Sequence, residues 1–479
     1  MKLVKSLLLG SAAGIAAVAS ASAADLPSRK AAPAEYVKVC SAYGAGFFYI
    51  PGTDVCLKVG GFARYQMQYS QPFAAHASPF GTRAQGRLEL DARNPTAYGT
   101  LRAFVRVDVA VRTGNERSGS AFRQGYAIDV VGNGNTTGGA NYAAANDSGW
   151  AGRSQTQVIL DKAFVQWGGF VAGRTTSLFD FNKSPEIIGT IPMSSLGTTN
   201  VLGYIATFGS GFYASVSAED AIWRRQALSN AGVGVNGAVG GAGNDLAGGS
   251  AVSYYGGSRM PDIVAALGVE QSWGAAQVSA AVHQIPVVGI GGANVNSKYG
   301  WAVQGGVMIN LPMLAPGDYL WVNAAYADGA MSYVHSNWFS ATLNNQGLGN
   351  SFAYYGSDAY INPLTNGVAK SKTWGVVAAL QHFWAPTLRS GFFGGYSQFN
   401  NPGNIADWNY WAAGANLMWS PVRALDIGIE GAYQRIEGKG STALYVPGVV
   451  AQTGVTTNGQ PSKQKDGAWT VRFRVQRTF

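Results

Sequence analysis

The sequence predicts an all-β chain, a transmembrane antiparallel β-barrel of about 16 strands. Three observations predict it. Segment after segment alternates apolar and polar residues with a period of two, so each has one oily and one wet face. Only 12% of the residues are charged, about half the usual share of a soluble chain. Beyond the leading segment there is no run of about 18 apolar residues from which a membrane helix could form. A chain of 479 residues with 65 glycines and 12% aromatics can still be apolar outside and polar inside if its strands close into a ring.

Residues 1–23 read as a secretory signal peptide. Lys2 and Lys5 precede the apolar run "LLLGSAAGIAAVA" (7–19), and "ASA" (21–23) supplies small residues for cleavage. A membrane anchor is the alternative, for which the run is short and rich in Gly and Ala. Residues 24–56 form an irregular leader containing Pro27 and Pro33. Its cysteines, Cys40 and Cys56, are the only two in the chain. In an oxidising compartment they are expected to form a disulfide, closing a loop of roughly 15 residues; two buried free thiols are the alternative.

The barrel is expected over residues 57–479. "LKVGGFARYQMQY" (57–69) sets Leu57, Val59, Ala63 and Tyr65 against Lys58, Arg64, Gln66 and Gln68. "GRLELDAR" (86–93) sets Leu88 and Leu90 against Arg87, Glu89 and Asp91. "LRAFVRVDVAVR" (101–112) is the cleanest, with Leu101, Val105, Val107, Val109 and Val111 outward and Arg102, Arg106, Asp108 and Arg112 inward. The terminal "WTVRFRVQRTF" (469–479) repeats the pattern, with Arg472 and Arg474 on the wet face. Sixteen candidate strands begin near Leu57, Gln85, Tyr98, Gln157, Phe170, Val201, Phe212, Ile263, Ala276, Tyr299, Tyr319, Lys372, Thr387, Trp408, Val422 and Ala468. Short connections alternate with long Gly/Asn/Ser-rich ones (113–155, 224–261, 329–368, 437–465), the asymmetry of an outer-membrane barrel.

Other signals are weak. "GVGVNG" (232–237) fits a dinucleotide fingerprint by letter, but no strand precedes it and no helical pattern follows. His76, His283, His335 and His382 have no ligand spacing, so no metal or other cofactor is expected. No catalytic motif stands out and no enzymatic role is expected. The formal charge of +9 raises the question of nucleic acid, yet the arginines are spread singly along strand faces, not bunched in a patch. No nucleic-acid partner is expected.

"VKVCSAYGAGFFYIPGTDVCLKVGGFARYQ" (37–66) and "AFVQWGGFVAGRTTSLFDF" (163–181) resemble the alphaproteobacterial porin family. The resemblance extends over the whole chain after the signal peptide, to the terminal Phe479, and is weakest in the loops. It implies a homotrimer of sixteen-stranded barrels among the lipids of the Gram-negative outer membrane, passing small hydrophilic solutes by diffusion. It implies that Phe479 is part of the signal read by the barrel-insertion machinery. It also implies a long third loop folded into the lumen, here "FDFNKSPEIIGTIPMSSLG" (179–197). Asp180, Lys183 and Glu186 would form one wall of an eyelet, and Arg102, Arg106, Arg112 and Arg174 part of the opposite wall. A surface loop and a merely solvated strand face are the plainer readings. With Arg64, Arg87 and Asp108 on the same wet faces, a weak anion preference is expected. A substrate-specific channel is the alternative, for which Phe62, Phe104 and Tyr213 supply inward aromatics; an outer-membrane enzyme is a further one.

Overall fold

The computed structural model describes residues 38–71, 79–116, 155–189, 195, 197–224, 256–287, 297–335, 358–361, 367–402, 407–439 and 465–479. The expected signal peptide and most of the four long connections lie outside these residues. The chain divides into two units, Met1–Leu57 and Lys58–Phe479. In the first, Cys40 and Cys56 form a disulfide with Cα atoms 5.9 Å apart. Phe47 is buried with the two cysteines, and Tyr43 and Tyr49 pack against them. Phe48 pairs with Leu57 and Tyr49 with Cys56 in a short antiparallel ladder.

The second unit is a ring of antiparallel strands. They are β1 (Cys56–Ser70), β2 (Phe80–Thr96), β3 (Gly99–Arg112), β4 (Gln155–Trp167), β5 (Phe170–Thr176), β6 (Thr198–Thr207), β7 (Phe212–Glu219) and β8 (Asp262–Gln271). Then come β9 (Gly274–Ile285), β10 (Lys298–Asn310), β11 (Tyr319–Asp328), β12 (Lys372–Ala385), β13 (Leu388–Asn400), β14 (Asp407–Trp419), β15 (Leu425–Lys439) and β16 (Lys465–Thr478). Each pairs with its neighbours in sequence. The ring closes where β16 pairs with β1, from Thr470↔Ser70 to Thr478↔Phe62. At that seam Gly61 and Phe479 exchange backbone hydrogen bonds of 3.2 and 3.0 Å. Gly61 sits at φ 152°, and a Cβ there would lie 2.0 Å from the Arg87 carbonyl oxygen, so only glycine fits. The expected strand starts match closely; Gln85, five residues inside β2, is the largest offset.

Alternation explains the ring. On β3, Val105, Val109 and Val111 are exposed while Phe104, Asp108, Ala110 and Arg112 are buried. The exposed set continues around the ring through Leu202, Leu267 and Val278, the last 65% exposed. These apolar side chains form an outward band. Aromatics edge it at both ends: Tyr98, Trp167, Trp273 and Trp384 beside the short turns, and Tyr69, Phe80, Tyr299 and Trp469 at the other. Such girdles suit the two interfaces of a bilayer. Inner faces are mostly polar on β1–β4 and β16, with Phe62, Phe104 and Phe164 as inward exceptions. On β8–β15 they are covered by two segments, 177–189 and 330–335, whose Phe179, Phe181, Met331 and Tyr333 are buried against inward residues such as Trp321, Val264 and Phe399.

Candidate functional site

The inner face of β1–β4 and β16 carries most of the arginines expected there, several of them met by a neighbouring strand. Arg87 makes a two-pronged contact with Asp108, both bonds 2.7 Å. Asp91 accepts from both Arg93 and Arg102, with bonds of 2.7 to 2.9 Å. Arg106 pairs with Glu89 at 2.7 Å and Asp161 at 3.3 Å. Arg64 donates to Gln476 at 2.7 Å and lies over the Phe62 ring. Arg112 is buried on the same face.

Arg174 needs correction. It pairs in register with Ala163 and Asn200 and shares the parity of the exposed Phe170 and Ala172. It is on the outer face, donating to the Leu160 carbonyl at 2.9 Å. In register it lies level with Ala163 and Val105, within the outward band. The resemblance implies an inward Arg174; the register of this short strand overrides that.

Asp161 has no counterpart in a strict period of two. Lys162 opposes Arg106 and Leu160 opposes Val107, so Asp161 is the extra residue of a β-bulge. The bulge sets Asp161 on the wet side beside Lys162, and Asp161 reaches Arg106 and Arg87, the latter at 3.8 Å.

The segment 177–189 is tied to inward side chains at many points. The Phe179 carbonyl accepts from Gln277, Ser279 and Gln304 at 3.1, 2.7 and 2.8 Å. Trp321 donates to the Phe181 carbonyl at 3.2 Å. Ile188 and Gly189 donate their backbone N–H groups to the two oxygens of Glu430, each at 2.6 Å. Glu186 pairs with Arg389 at 3.0 Å and Arg474 at 3.2 Å. Lys183 pairs with Glu270 at 2.5 Å.

Asp180 also departs from expectation. Its side chain is fully buried against Arg224 at 2.9 Å, with Ser195 and the Gly197 N–H as further partners. It is an internal anchor, not an exposed wall charge. Burial alone would lower the Arg224 pKa; the Asp180 carboxylate, then Tyr333 and Glu219, raise it instead. The guanidinium therefore stays charged. The loop acids thus meet Arg389, Arg474 and Arg224, not the arginines of β3. Arg389, Asp161 and Arg224 were missed by sequence reasoning. Arg389 could have been found from the alternation of Arg389, Phe393 and Ser397 within β13; the other two had no local signal.

Porin Omp2b of Brucella melitensis biotype 1 is 28% identical to this chain over 282 residues, 57% of this chain and 63% of that protein. Porin Omp2b of Brucella suis is 30% identical over 226 residues, 45% and 52% of the two. The chain therefore spans less than two thirds of the length of these curated relatives. Among solved structures, the outer membrane channel DcaP of Acinetobacter baumannii matches with a TM-score of 0.55 at 15% identity, over 90% of this chain and 99% of that one. That is a likeness of fold. A family profile described as Porin subfamily matches residues 25–471, nearly the whole sequence, and the chain belongs to that family.

Proposed function

We propose that this protein is a water-filled channel of the Gram-negative outer membrane, passing small hydrophilic solutes and ions by diffusion. One observation carries the reading: a closed ring of strands, apolar outside, has a wall of paired charges inside. Lipid accepts the first surface and water the second. The segment 179–197 is the inward loop that sets the size limit, and its residues 179–189 are strapped to inner-face partners on several strands. Lys183 and Glu186, with Arg64, Arg87, Arg102, Arg106, Asp108 and Arg112, border the passage; Asp180 fixes the loop. Passage is passive, and fixed charges bias which ions enter. Residues 1–23 direct export, three copies assemble in the membrane, and Phe479 serves the insertion machinery. The test is single-channel recording of the full-length, detergent-extracted protein in a planar bilayer. Stepwise, ohmic conductance with a weak anion preference that grows as salt is lowered is the expected result. No conductance, or none above that of empty detergent, would refute the channel.

A further inference from the structure

The wall formed by β1–β6 holds a recess of about 480 Å³, closed on one side by Leu178 of the inward segment. Its floor is apolar. Phe104 and Phe164 are register partners on β3 and β4, stacked with ring centres 5.3 Å apart at 30°. Val171 and Ile205 extend this floor. Its rim is basic. The Arg102 guanidinium lies 5.0 Å from the Phe104 ring centre and 5.2 Å from that of Phe164. Arg106 lies 5.5 Å from Phe104. Lys58 and Lys162 add two ammonium groups to the lining.

The lining carboxylates are Glu89 and Asp91, and both are engaged by guanidiniums, Arg106 at 2.7 Å and Arg102 at 2.9 Å. Lys162 donates to a neutral oxygen, Thr176 Oγ1, at 2.8 Å. Lys162 opposes Arg106 in the same register that pairs Phe164 with Phe104, which sets it on this face. Asp161, which meets Arg106 at 3.3 Å, is a third acid at the rim; four cations against three acids still leave the recess positive.

We propose that this recess is a binding station for an organic anion with a flat apolar body, an aromatic carboxylate, during passage; the proposal rests on the channel reading. A small hydrated anion has no use for the apolar floor. An aromatic carboxylate uses both parts. Its ring leaves water for the phenylalanine edges and the planes of the two guanidiniums. Its carboxylate meets Lys162, whose compact ammonium turns to suit an incoming oxygen. A neutral solute would leave the excess positive charge unanswered.

Blockage of single-channel current by benzoate, compared with acetate, tests this, both fully ionised. Benzoate should reach half-block at about five-fold lower concentration than acetate, a preference of ~1 kcal/mol. Phe164→Ala should collapse the ratio toward unity, each variant being scored against its own open current. Should Phe164→Ala fail to assemble, Gln166→Glu, which sets a carboxylate in the same lining, should weaken block by both anions several-fold. Equal block by benzoate and acetate in the natural chain overturns the proposal, as does a preference that survives Phe164→Ala or a block untouched by Gln166→Glu. Calorimetric titration of the detergent-solubilised full chain with benzoate separates the two readings. Binding without conductance keeps the recess and sinks the channel; conductance without benzoate preference does the reverse.

Discussion

Glu430 accepts from four donors, one of them the Asn416 amide at 3.4 Å. The backbone N–H groups of Ile188 and Gly189 reach it at 2.6 Å, and Arg472 lies at 3.3 Å. It is 1% exposed. Removing a buried acid leaves its cation uncompensated, at a cost of about 3 kcal/mol or more. Glu430→Ala is therefore expected to lower the temperature at which the folded band is lost on gels, and to make the open current noisier as the inward segment loses its hold. An unchanged transition and a quiet current would show that the other ties suffice. His335 is buried, its Nε2 2.6 Å from the Ser397 hydroxyl. Burial lowers its pKa to about 3, against about 6.5 in the unfolded chain. Between these values only the unfolded state binds the proton, so stability falls as pH drops from about 6.5 toward 3. His335→Gln should flatten that part of the acid limb in denaturant titrations. An identical limb in the variant would assign the loss to other groups.

At the scale of the strand, the β4 bulge decides what the wall presents. Asp161 lies beside Arg106 and Arg87, so its charge belongs to the same field. Asp161→Asn should shift the reversal potential in a salt gradient toward anions, and Arg106→Ala toward cations. Shifts of the same sign would mean that these side chains lie off the ion path. The bulge also marks where reading the sequence stopped working. Period-two alternation found every barrel strand, because lipid outside and water inside constrain both faces of each one. It could not find an extra residue that leaves both ends of β4 well patterned. Nor could it find partners such as Arg474 for Glu186, 288 positions apart, because such pairings are created by closing the ring. Asp180 was readable as a charge in the loop, but its burial against Arg224 depended on a second loop folding onto the first.

At the scale of the whole molecule, the exposed band is apolar all round, with aromatics at both edges. Three such bands meet side by side in the proposed trimer, so unheated protein should migrate on denaturing gels as one slow species and collapse to monomer on boiling. A native mass equal to one chain would exclude the trimer and leave the pore intact. The seam between β16 and β1 has a different consequence, for time. It joins residues about four hundred positions apart, such as Arg474 and Gln66, so it belongs among the most distant contacts the chain makes, the kind that form slowly. Until it forms, the partly built sheet has two raw edges whose N–H and C=O groups cannot be left bare in hydrocarbon. Every intermediate that lacks the seam must therefore keep both of its edges out of hydrocarbon. Construction cannot be finished in halves, and the last stave laid is the one that makes the hoop watertight.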